Sequence, residues 1–163
     1  MTEHTNLLGI KISGDISRRD TYAPQRPQSE LEPLIRALLD DPYIVEFGWR
    51  QYTPYFNDGD PCEFGARSLW VRTQDQMDDA DEDFTDFWHL ILEDGHPTLG
   101  KTRGWGENRR YEGTRESQFK MCDALDGAIQ RGEFDNVLIE LFGDHAQVTV
   151  RRDGIQVEYY SHD

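Results

Sequence analysis

The sequence predicts a single α+β domain over residues 1–163, with an antiparallel or mixed sheet and about four helices packed on it. Three observations favour this class. A chain of 163 residues can bury a core without the help of disulfides or metal ions. Segments with strand-like alternation of apolar residues are interspersed with segments of helical period. Near the C-terminus, Asp153-Gly154 lies between two alternating runs, which is typical of a two-residue hairpin turn.

The N-terminal part is expected to contain one strand, a connector and one helix. Apolar residues alternate with polar or small ones at Leu8, Ile10 and Ile12. We therefore assign residues 1–28 to a strand and a connector. A capping box of Ser29 and Glu32 would start the helix that follows, because its two side chains can satisfy the first free amides. The apolar face of this helix contains Leu31, Leu34, Ile35, Leu38 and Leu39.

Two strands should follow this helix. Val45, Phe47 and Trp49 alternate with non-aliphatic residues, and a second strand is expected over residues 64–71. The residues between them contain Pro54 and Pro61, which argues for a loop.

Residues 74–115 are expected to form an acidic helix followed by a Gly/Arg-rich loop. The helix is indicated by apolar residues at i, i+3, i+4, i+7 and i+8, namely Phe84, Phe87, Trp88, Ile91 and Leu92. Gly95 would end it, and four glycines in the next nineteen residues favour a long loop.

The C-terminal third should contain two helices and a hairpin. One helix is expected over residues 116–130 and another around residues 134–142. If Asp153 and Gly154 occupy the turn, Val150 lies opposite Val157 and Val148 lies opposite Tyr159.

The charge balance restricts the possible partners. Asp and Glu number 32 against 17 Lys and Arg, so the formal net charge is −15. Such a chain would be repelled by nucleic-acid phosphates and anionic lipid and attracted to basic proteins or cations. The two cysteines lack zinc-ligand spacing, and the N-terminus has no signal-peptide pattern. We therefore expect a soluble cytoplasmic protein with no membrane or direct nucleic-acid backbone binding.

The densest negative charge lies in residues 74–100, where nine carboxylates occur without a Lys or Arg. On the expected helix, one side would present Asp79, Glu82, Asp83 and Asp86. These four residues are our candidates for binding a basic partner. A solvated helix face is the alternative interpretation.

The stretch GHPTLGKT at residues 95–102 matches the phosphate-loop pattern G-x-x-x-x-G-K-[ST]. Its phosphate candidates are Lys101, Thr102 and Arg103. A working phosphate loop follows a strand and opens a helix, because amides at the helix start hold the phosphates. Here the glycines after Thr102 weaken any helix, so we interpret the match as a surface connector.

The loop between the two central strands is rich in aromatic and oxygen-bearing side chains. Its ligand or metal candidates are Tyr52, Tyr55, Asn57, Asp58, Asp60 and Glu63. A tight turn explains the Asn-Asp-Gly-Asp sequence equally well, and the aromatic residues of the 52–62 loop would then be buried.

Two stretches resemble an uncharacterised family of phage and bacterial proteins. They are WRQYTPYFNDGDPCEF at residues 49–64 and FGDHAQVTVRRDGIQVEYYSHD at residues 142–163. The resemblance implies a phage setting, and hence the host cytoplasm, but it transfers no catalytic residue.

These observations favour a non-enzymatic acidic binding protein, such as a phage accessory or anti-defence factor that docks on a basic host partner. We assign no catalytic residue and expect no cofactor. The alternative is a cation-dependent enzyme or a nucleotide-binding module. It would use a divalent cation at Asp58, Asp60 and Glu63, or it would use the Lys101 loop. The sequence leaves the oligomeric state open.

Overall fold

The fold is described by a computed structural model over residues 6–11, 24–55, 62–77 and 90–161. The predicted α+β class is confirmed, with a four-stranded antiparallel sheet, two small hairpins and one packed core. The described residues form three α-helices rather than about four. The segment expected to hold the centre of the acidic helix, residues 78–89, lies outside the described residues.

The main sheet contains β3 (Ile44–Tyr52), β4 (Gly65–Thr73), β7 (Ala146–Arg151) and β8 (Gly154–Tyr159). Its strand order is β4-β3-β7-β8, and every neighbouring pair is antiparallel. The other strands form two hairpins, β1 (Asn6–Leu7) with β2 (Ile10–Lys11) and β5 (Lys101–Arg103) with β6 (Arg110–Glu112).

Three helices cover one face of the sheet: α1 (Gln28–Asp40), α2 (Glu116–Gln130) and α3 (Asp135–Phe142). α1 contacts β3 and α2, whereas α2 and α3 contact β4. The apolar stripes of these helices meet alternate residues of the strands, including the fully buried Phe47, Trp49 and Val148. This burial supplies the main driving force for folding.

The core also encloses one polar side chain, Gln51, which is completely buried. Its amide oxygen accepts a hydrogen bond from the Trp49 indole at 2.9 Å. Its amide nitrogen donates to the carbonyl oxygens of Leu138 at 2.9 Å and Gly143 at 2.7 Å. Every polar group of the side chain is therefore used, and β3 is joined to the end of α3.

The expected helices at 116–130 and around 134–142 are confirmed as α2 and α3. The helix of residues 28–40 is also confirmed, but the capping box is wrong. Pro27 is the N-cap residue and no side chain caps the helix, because the helix starts one residue before Ser29. Pro33 lies inside the helix.

The strand expected around Leu8, Ile10 and Ile12 is replaced by the β1–β2 hairpin in the described residues 6–11. Leu8 and Gly9 have φ values of 55° and 79°, so the chain reverses between them. Leu8 and Ile10 are exposed. The alternation therefore marks two short paired segments rather than one half-buried strand.

The helix expected to continue through Ile91 and Leu92 is wrong for these two residues. Residues 90–92 run antiparallel to β4, with the Val71 amide donating to Leu90 O at 2.8 Å and the Leu92 amide to Leu69 O at 3.0 Å. All three residues are buried. Their apolar character thus reflects burial beside a strand, which a short apolar run cannot distinguish from a helix.

The C-terminal hairpin is confirmed, but its register differs by two residues. Val150 lies opposite Ile155 and Val148 opposite Val157, so Arg152 and Asp153 form the turn. The Arg152 guanidinium donates to three backbone carbonyls at the end of α1 and the start of β3, those of Leu39, Asp41 and Ile44. These long-range bonds hold Arg152 at the turn, and they outweigh the local preference of Asp-Gly.

Candidate functional site: an acidic pocket

The phosphate-loop match folds into a tight turn over residues 95–100. His96 and Gly100 exchange two backbone hydrogen bonds of 3.0 Å. The buried His96 ring accepts hydrogen bonds at Nδ1 from the amides of Thr98 (3.2 Å) and Leu99 (3.1 Å). Because Nδ1 accepts, Nε2 holds the proton and donates to Val71 O at 2.7 Å. Burial lowers the pKa of His96, which keeps the ring neutral.

This turn lacks the geometry of a phosphate loop. The amides of Thr98, Leu99 and Gly100, which would have to point at a phosphate, are bonded within the turn. Thr102 lies in β5, opposite Tyr111, and does not open a helix. The expectation that Thr102 does not open a helix is confirmed, whereas residues 101–112 form a hairpin rather than the expected long loop.

Next to this turn lies a cavity of about 360 Å³, which we call the acidic pocket. It is bounded by residues 92–95, β5 and α2. Its charged lining residues are Glu93, Asp94, Lys101, Arg109, Asp123 and Asp126. Four carboxylates thus face two cations, so the lining has a net charge of −2 when all six groups are ionised.

Asp126 is a partly buried carboxyl group of the pocket with a shifted pKa. Burial, together with the charges of Asp123 and Glu93, raises the pKa of Asp126 to about 6, although Gln130 donates a hydrogen bond to it at 2.7 Å. The negative charge of Asp126 is therefore incompletely compensated at neutral pH. Beneath it, burial raises the pKa of the Cys122 thiol to about 12, so Cys122 is an unreactive core residue.

The two cations of the pocket come from the β5–β6 hairpin. Arg109 lies 3.6 Å from the Asp123 carboxylate in a half-exposed ion pair. Lys101 lines the pocket from β5, whereas the neighbouring Arg103 is bonded to Glu112 on the hairpin itself. Trp105 lies in the loop of this hairpin and is 90% exposed. Tryptophan is enriched among the residues that contribute most of the binding energy at protein interfaces.

The aromatic candidates lie at the end of β3, away from the acidic pocket. Tyr52 is half-buried and its ring faces the Arg67 guanidinium at 4.5 Å. Tyr55 is 60% exposed and stacks on His145, with ring centroids 4.9 Å apart. The interpretation that these aromatic residues are buried in the core is therefore wrong for Tyr55. It contacts the β7–β8 end of the sheet, where its hydroxyl lies 3.1 Å from that of Tyr159.

Glu63 is half-buried just before β4 and close to an acid that the sequence did not single out. Burial, followed by the charge of Glu63, raises the pKa of Asp135 to about 6. Asp135 is 6% exposed, and its Oδ1 has no hydrogen-bond partner among the described residues. Asn57, Asp58 and Asp60 lie outside the described residues, so their role as ligands stays a prediction.

The described part of the chain contains no cluster of three or more His, Cys, Asp or Glu side chains arranged to hold a metal ion. The partner-binding candidates Asp79, Glu82, Asp83 and Asp86 lie within the undescribed 78–89 segment. The acidic pocket was missed because its residues come from three separate segments. The i, i+3 spacing of Asp123 and Asp126, on the side of α2 that also contains Phe119, was its one available sequence signal.

The chain matches no protein-family model, no curated protein and no solved structure. Among the described helices, none is long and apolar enough to cross a membrane.

Proposed function

We propose that this chain is a non-enzymatic acidic binding protein that docks on a basic partner protein. The observation that supports this proposal is the acidic pocket, where four carboxylates meet only two cations. A cationic side chain from a partner would compensate the charge that burial and neighbouring acids disfavour at Asp126.

The pocket suits the end of an arginine or lysine side chain. No ion pair joins Glu93 or Asp94 to a cation within the described residues, so both retain acceptor capacity. The pocket opens to solvent, and the hairpin that contributes Lys101 and Arg109 to its lining also presents the exposed Trp105 in its loop. Aromatic anchors next to charged groups are typical of protein interfaces.

The proposed docking surface also includes the expected partner-binding residues Asp79, Glu82, Asp83 and Asp86. They precede Glu93 and Asp94 in the same acidic stretch of the sequence. With the phage setting implied by the sequence resemblance, the partner would be a basic protein of the host cytoplasm.

The proposal can be tested with a fluorescent arginine-rich peptide as the probe. Asp126→Asn combined with Asp123→Asn should weaken peptide binding about tenfold or more, because two favourable charge contacts are removed. The matched control is Glu140→Gln, which removes a charge from an exposed site on α3. Fluorescence anisotropy would measure both. Equal affinity for the wild type, the double variant and the control would contradict a role for the pocket.

The proposal also predicts a pH dependence. Because the pKa of Asp126 is about 6, it takes up a proton as the pH falls from 7 to 5, and its attraction for the peptide is lost. Peptide binding should therefore weaken over this interval. Asp126→Asn should have lower affinity at pH 7 and a flatter profile. An equally steep profile in this variant would assign the pH dependence to another group.

The expected acidic helix requires a separate variant. Reversing the charges of Glu82, Asp83 and Asp86 together should further reduce peptide binding and lower its salt sensitivity.

A thermal-shift series with Mg²⁺, Ca²⁺, Mn²⁺ and nucleotides distinguishes the alternative function. A rise in Tm with one of these ligands would favour a cation-dependent or nucleotide-binding protein instead.

A further inference from the structure

Strand β8 forms an uncovered edge of the main sheet. It pairs with β7 on one side, and no other described strand pairs with its outer side. All six of its residues are exposed. The outward amide and carbonyl groups of such a strand can accept a further strand.

The side of β8 that faces the helices is apolar. Ile155 and Val157 lie directly opposite Val150 and Val148, and cross-strand partners share one face of a sheet. The two β7 residues are fully buried, whereas Ile155 is 52% and Val157 45% exposed. The helical layer therefore covers β7 but stops before β8.

An open groove of about 620 Å³ continues this apolar surface between α1, α3 and β8. Its apolar lining residues are Leu31, Ile35, Leu39, Leu141, Phe142 and Ile155. Leu141 is 47% exposed, so the groove leaves apolar area in contact with water. Covering this surface would be favourable at roughly 25 cal/mol per Å² of apolar area.

The local charge favours a second copy of this chain as the partner at this edge. Over residues 146–161, Arg151 and Arg152 balance Asp153 and Glu158, so this edge has a net charge of zero although the chain has −15. Two copies of a strongly acidic chain repel one another least where such neutral surfaces meet. A basic partner, by contrast, would gain little at this edge.

We propose that β8 pairs antiparallel with β8 of a second copy, across a two-fold axis at Val157. In this register Ile155 of one copy faces Tyr159 of the other, and Val157 faces its own counterpart. Gln156 of one copy then faces Glu158 of the other. A two-fold axis at Glu158 would instead place the Glu158 carboxylates of the two copies opposite each other. The tyrosine of the second copy lies at the mouth of the groove. An isologous contact of this kind forms a closed dimer rather than a filament.

Sedimentation velocity tests this pairing over a range of protein concentrations. The wild type should approach twice the 19.0 kDa chain mass as its concentration rises. Higher salt should strengthen the dimer, because it screens the repulsion between two acidic copies. This response is opposite to that expected for docking on a basic partner. A wild type that stays monomeric up to about 0.5 mM would overturn the proposal.

Val157→Lys should raise the dimer dissociation constant at least about tenfold, because two lysines would face each other across the axis. Ala124→Lys adds the same charge at an exposed site on α2 and should leave dimerisation unchanged. Circular dichroism would establish that both variants are folded. Equal dissociation constants for the wild type and Val157→Lys would overturn the proposal.

Cysteine cross-linking tests the register. In a Cys62→Ser background, Val157→Cys should form a disulfide-linked dimer with copper phenanthroline and air as oxidant, since the Cα atoms of directly opposed residues lie about 4.5–5.5 Å apart, within the range that a disulfide spans. Glu158→Cys should cross-link much more slowly, because each new cysteine would face Gln156 of the other copy. Equal rates, or faster linkage at position 158, would overturn the register.

Discussion

His96 lies between the 95–100 turn and β4, and its ring contacts both. One nitrogen accepts from the amides of Thr98 and Leu99, and the other donates to Val71 O. A single buried side chain thus satisfies three backbone groups that would otherwise lack partners. This role explains why a sequence that matches a phosphate loop folds into a compact turn.

His96→Phe should lower the free energy of unfolding by about 2–4 kcal/mol, because the ring volume is kept while three buried backbone groups lose their partner. Urea denaturation at pH 7.5 would measure the loss. A change below about 0.5 kcal/mol would show that the turn does not depend on these bonds.

The lowered pKa of His96 adds a pH dependence with a definite sign. Below the ordinary histidine pKa of about 6.5, the unfolded chain takes up a proton that the folded ring resists, so folding becomes less favourable as the pH falls. The raised pKa values of Asp126 and Asp135 act in the opposite direction. Comparison of wild type with His96→Phe at each pH cancels those contributions. The stability advantage of the wild type should shrink between pH 7 and 5.

At the scale of elements, Gly48 determines how closely β3 approaches its neighbours. A Cβ at this position would overlap the Val148 carbonyl oxygen and lie 2.7 Å from Cζ2 of Trp70. The absence of a side chain therefore allows the Trp70 ring to pack over the central strand.

Gly48→Ala should destabilise the protein by about 2–4 kcal/mol, because neither the β7 backbone nor the Trp70 ring can move without disturbing the sheet. Gly154→Ala is the matched control, since no atom lies within 4 Å of the added Cβ. Thermal and urea unfolding would compare the two. Similar losses in both variants would contradict the close approach at Gly48.

The elements that were predicted correctly are those whose signal is local. The apolar period of α2 and the alternation of β3 lie within their own sequence, and both predictions are confirmed. The hairpin register was wrong because the Arg152 bonds connect it to residues more than a hundred positions away. Residues 90–92 were misassigned because only contact with β4 makes them extended.

The candidate site was less predictable than the fold because it depends on contacts between segments that are distant in the sequence. Lys101 was singled out for a motif whose backbone geometry is absent, yet it lines a pocket with a different chemistry. Asp123 and Asp126 meet Glu93 only after α2 packs beside the 90–95 segment. Spacing within one helix cannot reveal acids contributed by another part of the chain.

At the scale of the whole molecule, the excess of acids over bases influences stability as well as binding. A chain with net charge −15 repels itself when compact, and salt screens this repulsion over about 10 Å at 0.1 M. Half-exposed ion pairs such as Arg109 with Asp123 contribute little to the free energy of unfolding, so their screening by salt costs little stability.

The Tm at pH 7.5 should therefore rise by several degrees when NaCl increases from about 20 to about 500 mM. Differential scanning calorimetry would measure it. The rise should be smaller at pH 5, where Asp126 and Asp135 are largely protonated. A Tm that falls with added salt would show that attractive ion pairs outweigh the net repulsion.

The completely buried Gln51 has a consequence for how this sequence can change over generations. Its side-chain amide forms hydrogen bonds with the Trp49 indole and with two carbonyl groups near the end of α3. A hydrocarbon side chain at position 51 would leave the indole N–H and both carbonyl groups without this hydrogen-bond partner. A simultaneous phenylalanine at position 49 would remove the unpaired indole but not the two unpaired carbonyl groups. Few substitutions at position 49 or 51 should therefore be tolerated. Proteins that evolve from this sequence should keep the tryptophan and the glutamine together.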